Sequence, residues 1–168
     1  MKETMQKRGQ QWLEDLLKKM GLATAVRVEV IEGWSGQETS WLTIDASPLS
    51  ASQIEQLVGT GGESLDAIQY LINAILNLGQ DREEQGSFTL ELNGYRHQRQ
   101  QEVQRMAEMA AYTVRQTAVE FEMKALSSAE RREVHQFLQS CEDLETESVG
   151  KEPHRRLIVR QRSQEGGG

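Results

Sequence analysis

The chain has 168 residues, enough for one ordinary domain or two small ones. Its 37% hydrophobic and 27% charged residues fit a globular protein rather than a disordered one, and no apolar run approaches the roughly 20 residues that span a bilayer. A formal net charge of −7 argues at first sight against nucleic acid, yet all the excess acid lies in residues 1–94, while residues 95–168 carry 12 basic and 12 acidic side chains.

Met1 to Gln11 is polar and mixed in charge, so it reads as a flexible N-terminus and not as a signal peptide. From Trp12 the apolar residues Leu13, Leu16, Leu17 and Met20 share a helical face, and Gly21 stops the run. Val26, Val28 and Val30 alternate with charged residues as in a strand. Gly33 and Gly36 mark a turn, and Trp41 to Ile44 reads as the partner strand. A short helix is expected from about Ser52 to Val58, with Ser52 and Glu55 at capping-box spacing. After Gly59-Thr60-Gly61-Gly62 a second helix places Leu65, Ile68, Ile72 and Ile75 on one face. Phe88, Leu90 and Leu92 then form a third strand.

Asn93-Gly94 punctuates the chain, and the module boundary is expected there. Beyond it, Val103, Met106, Ala107, Ala110, Val114 and Thr117 repeat at spacings of three and four, as in a long helix. Phe121 to Leu126 reads as a strand. Ser127 and Glu130 cap a helix that packs Val134, Phe137 and Leu138. Leu144 to Ser148 and Arg156 to Arg160 are the last two strands, and residues 163–168 form a flexible tail.

Cys141 is the one cysteine, which excludes an intramolecular disulfide and makes a reducing cytoplasm the natural setting. With only His97, His135 and His154 beside it, scattered along the chain, no metal-ligand cluster is expected. No pairing of nucleophile, base and orienting group is evident either, so the chain reads as a non-enzyme without a cofactor.

Two stretches carry the candidate site. Gly59-Thr60-Gly61-Gly62 joins two helices, so the second helix presents its free N–H groups at a turn where a backbone can approach closely. That arrangement favours a phosphate. The bland alternative is a packing turn with no ligand. Arg131 and His135, four apart, share one helical face, where a guanidinium can pair with a phosphate and an imidazole can stack on a base. Both are expected to be largely exposed, because Val134, Phe137 and Leu138 carry the packing. Lys151, Arg155 and Arg156 extend this into a basic track, unless they are simply the charges of a solvated edge strand.

The stretch Leu57-Val58-Gly59-Thr60-Gly61-Gly62-Glu63-Ser64-Leu65-Asp66-Ala67-Ile68-Gln69-Tyr70-Leu71 resembles the KH domain of the bacterial Jag (SpoIIIJ-associated) family. Ser127 to His135, followed by Glu145-Thr146-Glu147-Ser148-Val149-Gly150-Lys151-Glu152-Pro153-His154-Arg155-Arg156, is similar to the domain named for its Arg-xxx-His signature (R-three-H), which follows the KH module in that family. The resemblance covers about residues 12–162 and leaves out the family's usual extra N-terminal domain. It implies an α+β protein: a type II KH-like αββααβ module over residues 12–94, then a small R-three-H module over residues 95–162. It also implies binding of single-stranded RNA and post-transcriptional regulation. Gly59 and Gly62 become the framing glycines of a G-x-x-G turn, with Thr60 and Gly61 at its variable positions. The family usually has a basic residue there, and here Thr-Gly is followed by Glu63. The second module is therefore expected to supply most of the electrostatic affinity. Two alternatives stand beside this reading. One is a protein-interaction adaptor whose KH-like module forms a KH–KH homodimer or holds a small KH protein. The other is binding of single-stranded DNA.

Overall fold

A computed structural model describes residues 2–34 and 36–163. Apart from Ser163, the tail expected to be flexible lies outside the described residues. The chain is α+β and divides into two compact units between Gln98 and Arg99, four residues beyond the expected punctuation at Gly94 and inside a helix.

The first unit contains α1 (Lys2–Lys19), β1 (Val26–Glu32), β2 (Glu38–Ile44), α2 (Ala51–Val58), α3 (Glu63–Asn77) and β3 (Phe88–Leu92). This is the helix–strand–strand–helix–helix–strand order of a type II KH module. β2 is central, antiparallel to β1 (Val28 opposite Leu42) and parallel to β3 (Leu42 opposite Leu90). Leu13, Leu17, Leu42, Leu65, Ile72 and Leu90 are fully buried and form the centre of its core.

The N-terminus differs from expectation. Helix α1 begins at Lys2, ten residues before Trp12, so residues 2–11 are helical rather than flexible. The buried stripe is Met5, Gly9, Leu13 and Leu17, one residue per turn. Gly9 hides the pattern in the sequence, because it is buried for lack of a side chain: a Cβ there would meet Phe88 Cζ at 2.8 Å. Two smaller shifts accompany it. The capping box of α2 is Ser50 with Gln53, not Ser52 with Glu55. On α3, Leu76 is buried where Ile75 was expected, and Ile75 is 49% exposed.

The free edge of β3 is closed by side chains of α3. Asn77 Nδ2 donates to Gly86 O at 2.8 Å and its Oδ1 accepts from Gly86 N at 2.8 Å. Asn73 does the same for Phe88, at 2.9 and 3.0 Å, and Gln69 Oε1 accepts from Leu90 N at 2.9 Å. Arg96 Nε completes the row by donating to Leu90 O at 3.1 Å. Three amides at a spacing of four on the helix thus match three residues at a spacing of two, and the outer polar groups of Gly86, Phe88 and Leu90 are paired without another strand.

The second unit holds the rest of α4 (Tyr95–Thr117), with β4 (Phe121–Met123), α5 (Ser128–Gln139), β5 (Leu144–Val149) and β6 (Arg156–Gln161). β6 lies between β4 and β5 and is antiparallel to both. Val103, Ala107, Ala110 and Val114 are buried on α4, as the periodicity predicts, and Val134 and Leu138 on α5. Leu157 and Val159 are buried on one face of β6, which leaves Arg156, Ile158 and Arg160 on the other. None of the described helices is long and apolar enough to cross a membrane.

The amide row makes a stability forecast. Asn73→Ala leaves the Phe88 N–H and C=O without their partners, so unfolding in denaturant should show a loss of about 1–3 kcal/mol. A loss below about 0.5 kcal/mol would mean that water replaces the amide at no cost.

Candidate nucleic-acid interface

The turn between α2 and α3 has the backbone that its glycines permit. Gly59, Gly61 and Gly62 all have positive φ, at 75°, 60° and 85°. At Gly59 a Cβ would lie 2.7 Å from Ser64 N, and at Gly62 it would lie 2.8 Å from Tyr95 Cε1. Tyr95 Oη donates to Gly61 O at 2.9 Å and fixes the turn from below. Thr60 and Gly61 are exposed, and Gly62 is buried. The first turn of α3 carries Glu63 and Asp66, and Asp66 is tied to buried Arg96 at 2.8 Å. The turn therefore offers backbone and one hydroxyl, but its nearest side-chain charges in sequence are acidic.

The second site is built on the capping box of α5. Ser127 Oγ accepts from Glu130 N at 3.2 Å, and Glu130 Oε2 accepts from Ser127 N at 2.8 Å. Buried Glu130 also receives Arg99 Nε at 2.8 Å, and Arg99 Nη2 donates to Ala125 O at 2.9 Å. The start of α5 is thereby held on α4.

One residue on, Arg131 departs from expectation. It is buried, at 5% exposure, rather than presented to solvent. Its Nη1 donates to Leu126 O at 2.6 Å and to Arg155 O at 3.4 Å, and its Nη2 pairs with Glu152 Oε1. The guanidinium thus ties the start of α5 to the loop joining β5 and β6. Counting only apolar residues as packing misses this, because an arginine can be buried when carbonyls and a carboxylate satisfy its donors.

Around Arg131 a cleft of about 340 Å³ is lined by Ser128, Arg132 and His135 of α5, Thr146 and Ser148 of β5, and Glu152 and Arg155 of the loop. Positions 128, 131, 132 and 135 share one helical face, and 146 and 148 one strand face. His135 is half-buried, and its Nδ1 is hydrogen-bonded to Thr146 Oγ1. Arg132 and Arg155 are exposed and have no side-chain partner among the described residues.

Of the expected site residues, Arg131, His135 and Arg155 meet at this cleft. Lys151 is exposed on the same loop but does not line it. Arg156 is on the outer face of β6, paired with Glu122 at 2.6 Å. Arg160 is neutralised similarly by Glu145 and Glu147, at 2.6 and 3.2 Å, and the Glu145 carboxylate holds its guanidinium above the ordinary pKa. Gly59 to Gly62 belong to the first unit. The sequence reading missed Ser128, Arg132, Thr146, Ser148 and Glu152. The signals were present as a helical i, i+4, i+7 set (128, 132, 135) and a strand i, i+2 pair (146, 148).

Residues 101–161, which hold this cleft, match the model of the R-three-H domain. Similarity to individual proteins extends further along the chain. It is 27% identical over 158 residues to the RNA-binding protein KhpB of Clostridium symbiosum, a match spanning 94% of this chain and 67% of that one. It is 28% identical over 103 residues to the RNA-binding protein KhpB of Lactiplantibacillus plantarum, spanning 61% of this chain and 31% of that one. The resemblance to Jag-type proteins read from the motifs is borne out.

The burial of Arg131 can be tested by stability alone. Arg131→Ala leaves the Leu126 carbonyl unpaired and frees the β5–β6 loop, so thermal or denaturant unfolding should show a loss of about 1–3 kcal/mol. An exposed arginine would cost less than about 0.5 kcal/mol.

Proposed function

We propose that this protein binds single-stranded RNA through the cleft between α5 and β5 and acts as a cytoplasmic post-transcriptional regulator of the Jag type. The observation that carries the reading is the convergence of unpaired Arg132 and Arg155 on one cleft with His135 and the hydroxyls of Ser128, Thr146 and Ser148. Guanidinium groups pair with phosphate oxygens, and hydroxyls fix the register of the backbone. With Nδ1 of His135 engaged by Thr146, Nε2 is the ring nitrogen left for a ligand, and the ring itself can stack on a base. Arg131 serves this site from beneath by holding α5 and the β5–β6 loop together. The choice of RNA over single-stranded DNA, which has the same phosphates, is supported by the names of the relatives.

The G-x-x-G turn has a supporting part. Its exposed backbone suits a nucleotide chain, but the acidic start of α3 gives it little affinity for phosphate. A second reading, association through the KH-like unit with another copy or with a small KH protein, is favoured by a specific feature of α3. Tyr70, Leu71 and Ile75 are exposed on it, and Leu78 at its end is 81% exposed. A stripe of this kind is unusual on a monomer's surface.

Binding to an unstructured single-stranded RNA, measured against salt, separates the two readings. Arg132, Arg155 and Lys151 are the exposed cations in and beside the cleft, and contacts to all three give a log–log slope of about −2 or steeper. Arg132→Ala with Arg155→Ala should weaken binding at low salt by roughly 2–4 kcal/mol and flatten the slope by about 1.4. Stability should move by less than about 0.5 kcal/mol, since both side chains are exposed. Weak, salt-insensitive binding that the double variant leaves unchanged would favour association through the first unit.

A further inference from the structure

Among the described residues that line the cleft, Glu152 is the only acid, and it lies on the most deeply held cation there. The two partners of this pair are unequal. The Arg131 side chain is 6% exposed, and its Nη1 is fixed by two carbonyls from Leu126 and Arg155. The Glu152 side chain is 60% exposed and stands on the loop between β5 and β6. The guanidinium is buried and held by carbonyls, whereas the exposed carboxylate can rotate into water. A carboxylate and a phosphate make the same charge-assisted N–H···O contacts to a guanidinium.

We propose that Glu152 is a built-in anion that occupies Arg131 in the free protein and is displaced from it by an RNA phosphate. This rests on the cleft being the RNA site. In the free state Glu152 supplies the counter-charge that a buried guanidinium needs. In the bound state the phosphate supplies it, and Glu152 turns to solvent. The carbonyls of Leu126 and Arg155 hold the guanidinium in the same place in both states, so the displaced site is already formed. A ligand must outcompete a tethered carboxylate, which disfavours single small anions. A strand whose neighbouring phosphates also engage Arg132 and Arg155 is favoured. Glu152 thereby sets both the affinity of the cleft and its preference for a polyanion.

The test uses the full chain and an unstructured oligouridylate. Glu152→Gln keeps the size of the side chain and removes its charge. If the carboxylate holds Arg131 about nine-tenths of the time, its neutralisation tightens binding about tenfold at low salt. The variant melts below wild type without RNA and gains more in melting temperature than wild type when RNA saturates it. Glu152→Asp, which keeps the charge, tightens binding less than Glu152→Gln does. A folded Glu152→Gln protein that binds as wild type does, or more weakly, overturns the proposal and makes Glu152 a permanent structural partner. Failure of wild type and variant alike to bind RNA overturns the cleft reading itself. On wild type, the Glu152 carboxyl carbon resonance gives an independent measurement that no loss of fold can obscure. It should shift on RNA addition as the ion pair breaks, and a resonance that stays in place under saturating RNA also overturns the proposal.

Discussion

A single buried guanidinium organises the candidate interface. Arg131 stands in the first turn of α5 and reaches two carbonyls, of Leu126 before the helix and of Arg155 at the end of the β5–β6 loop. It anchors the helix face bearing Arg132 and His135 to the loop bearing Arg155. The cation is also the reason that an acid lines a cleft otherwise made of basic and hydroxyl groups. An arginine suits this position better than a lysine, because its planar fork serves several acceptors at once.

The distribution of charge explains how a chain of net charge −7 can present a phosphate site. The two faces of β6 and its neighbours are treated differently. On the outer face Arg156 and Arg160 are each matched by glutamates of adjacent strands, which makes it an ordinary solvated ion-pair surface. Toward α5 the strand β5 contributes Thr146 and Ser148 instead, and Arg132 and Arg155 have no side-chain partner among the described residues. What matters to a phosphate is this local imbalance, not the total. In the first unit the G-x-x-G turn is well formed, held by Tyr95 and by the close approach of Ser64 to Gly59, yet its charges are acidic. Formation of the turn and affinity for phosphate are separate properties, and the structure shows the first.

Most of the fold was legible in the sequence because each element has a pattern set by its own packing. The alternation of Val26, Val28 and Val30 and the spacing of Val103, Ala107, Ala110 and Val114 gave the elements, and Ser127 with Glu130 gave the start of α5 to the residue. The first turns of α1 were not legible, because a glycine at position 9 is buried by its smallness, which no hydrophobic pattern records. The amides Gln69, Asn73 and Asn77 read as polar residues on a helix, and only the position of β3 shows that they close a sheet edge. At the cleft, the Arg131–His135 pair marked the right helix face. Arg131 was nonetheless misjudged as exposed, since its acceptors are carbonyls that sequence does not display and a glutamate 21 residues away. Arg155 and Arg156 look alike in sequence, but Arg155 ends the β5–β6 loop at the cleft, whereas Arg156 opens β6 on its outer face beside Glu122.

We propose that RNA is held in the cleft of the second unit and not at the G-x-x-G turn. Backbone amide resonances of the full chain, followed while a single-stranded RNA is titrated in, distinguish the two places. The largest shifts should fall in residues 128–135 and 146–155, with small ones at 59–65. Shifts concentrated at residues 59–65, with residues 128–135 unmoved at saturation, would contradict it.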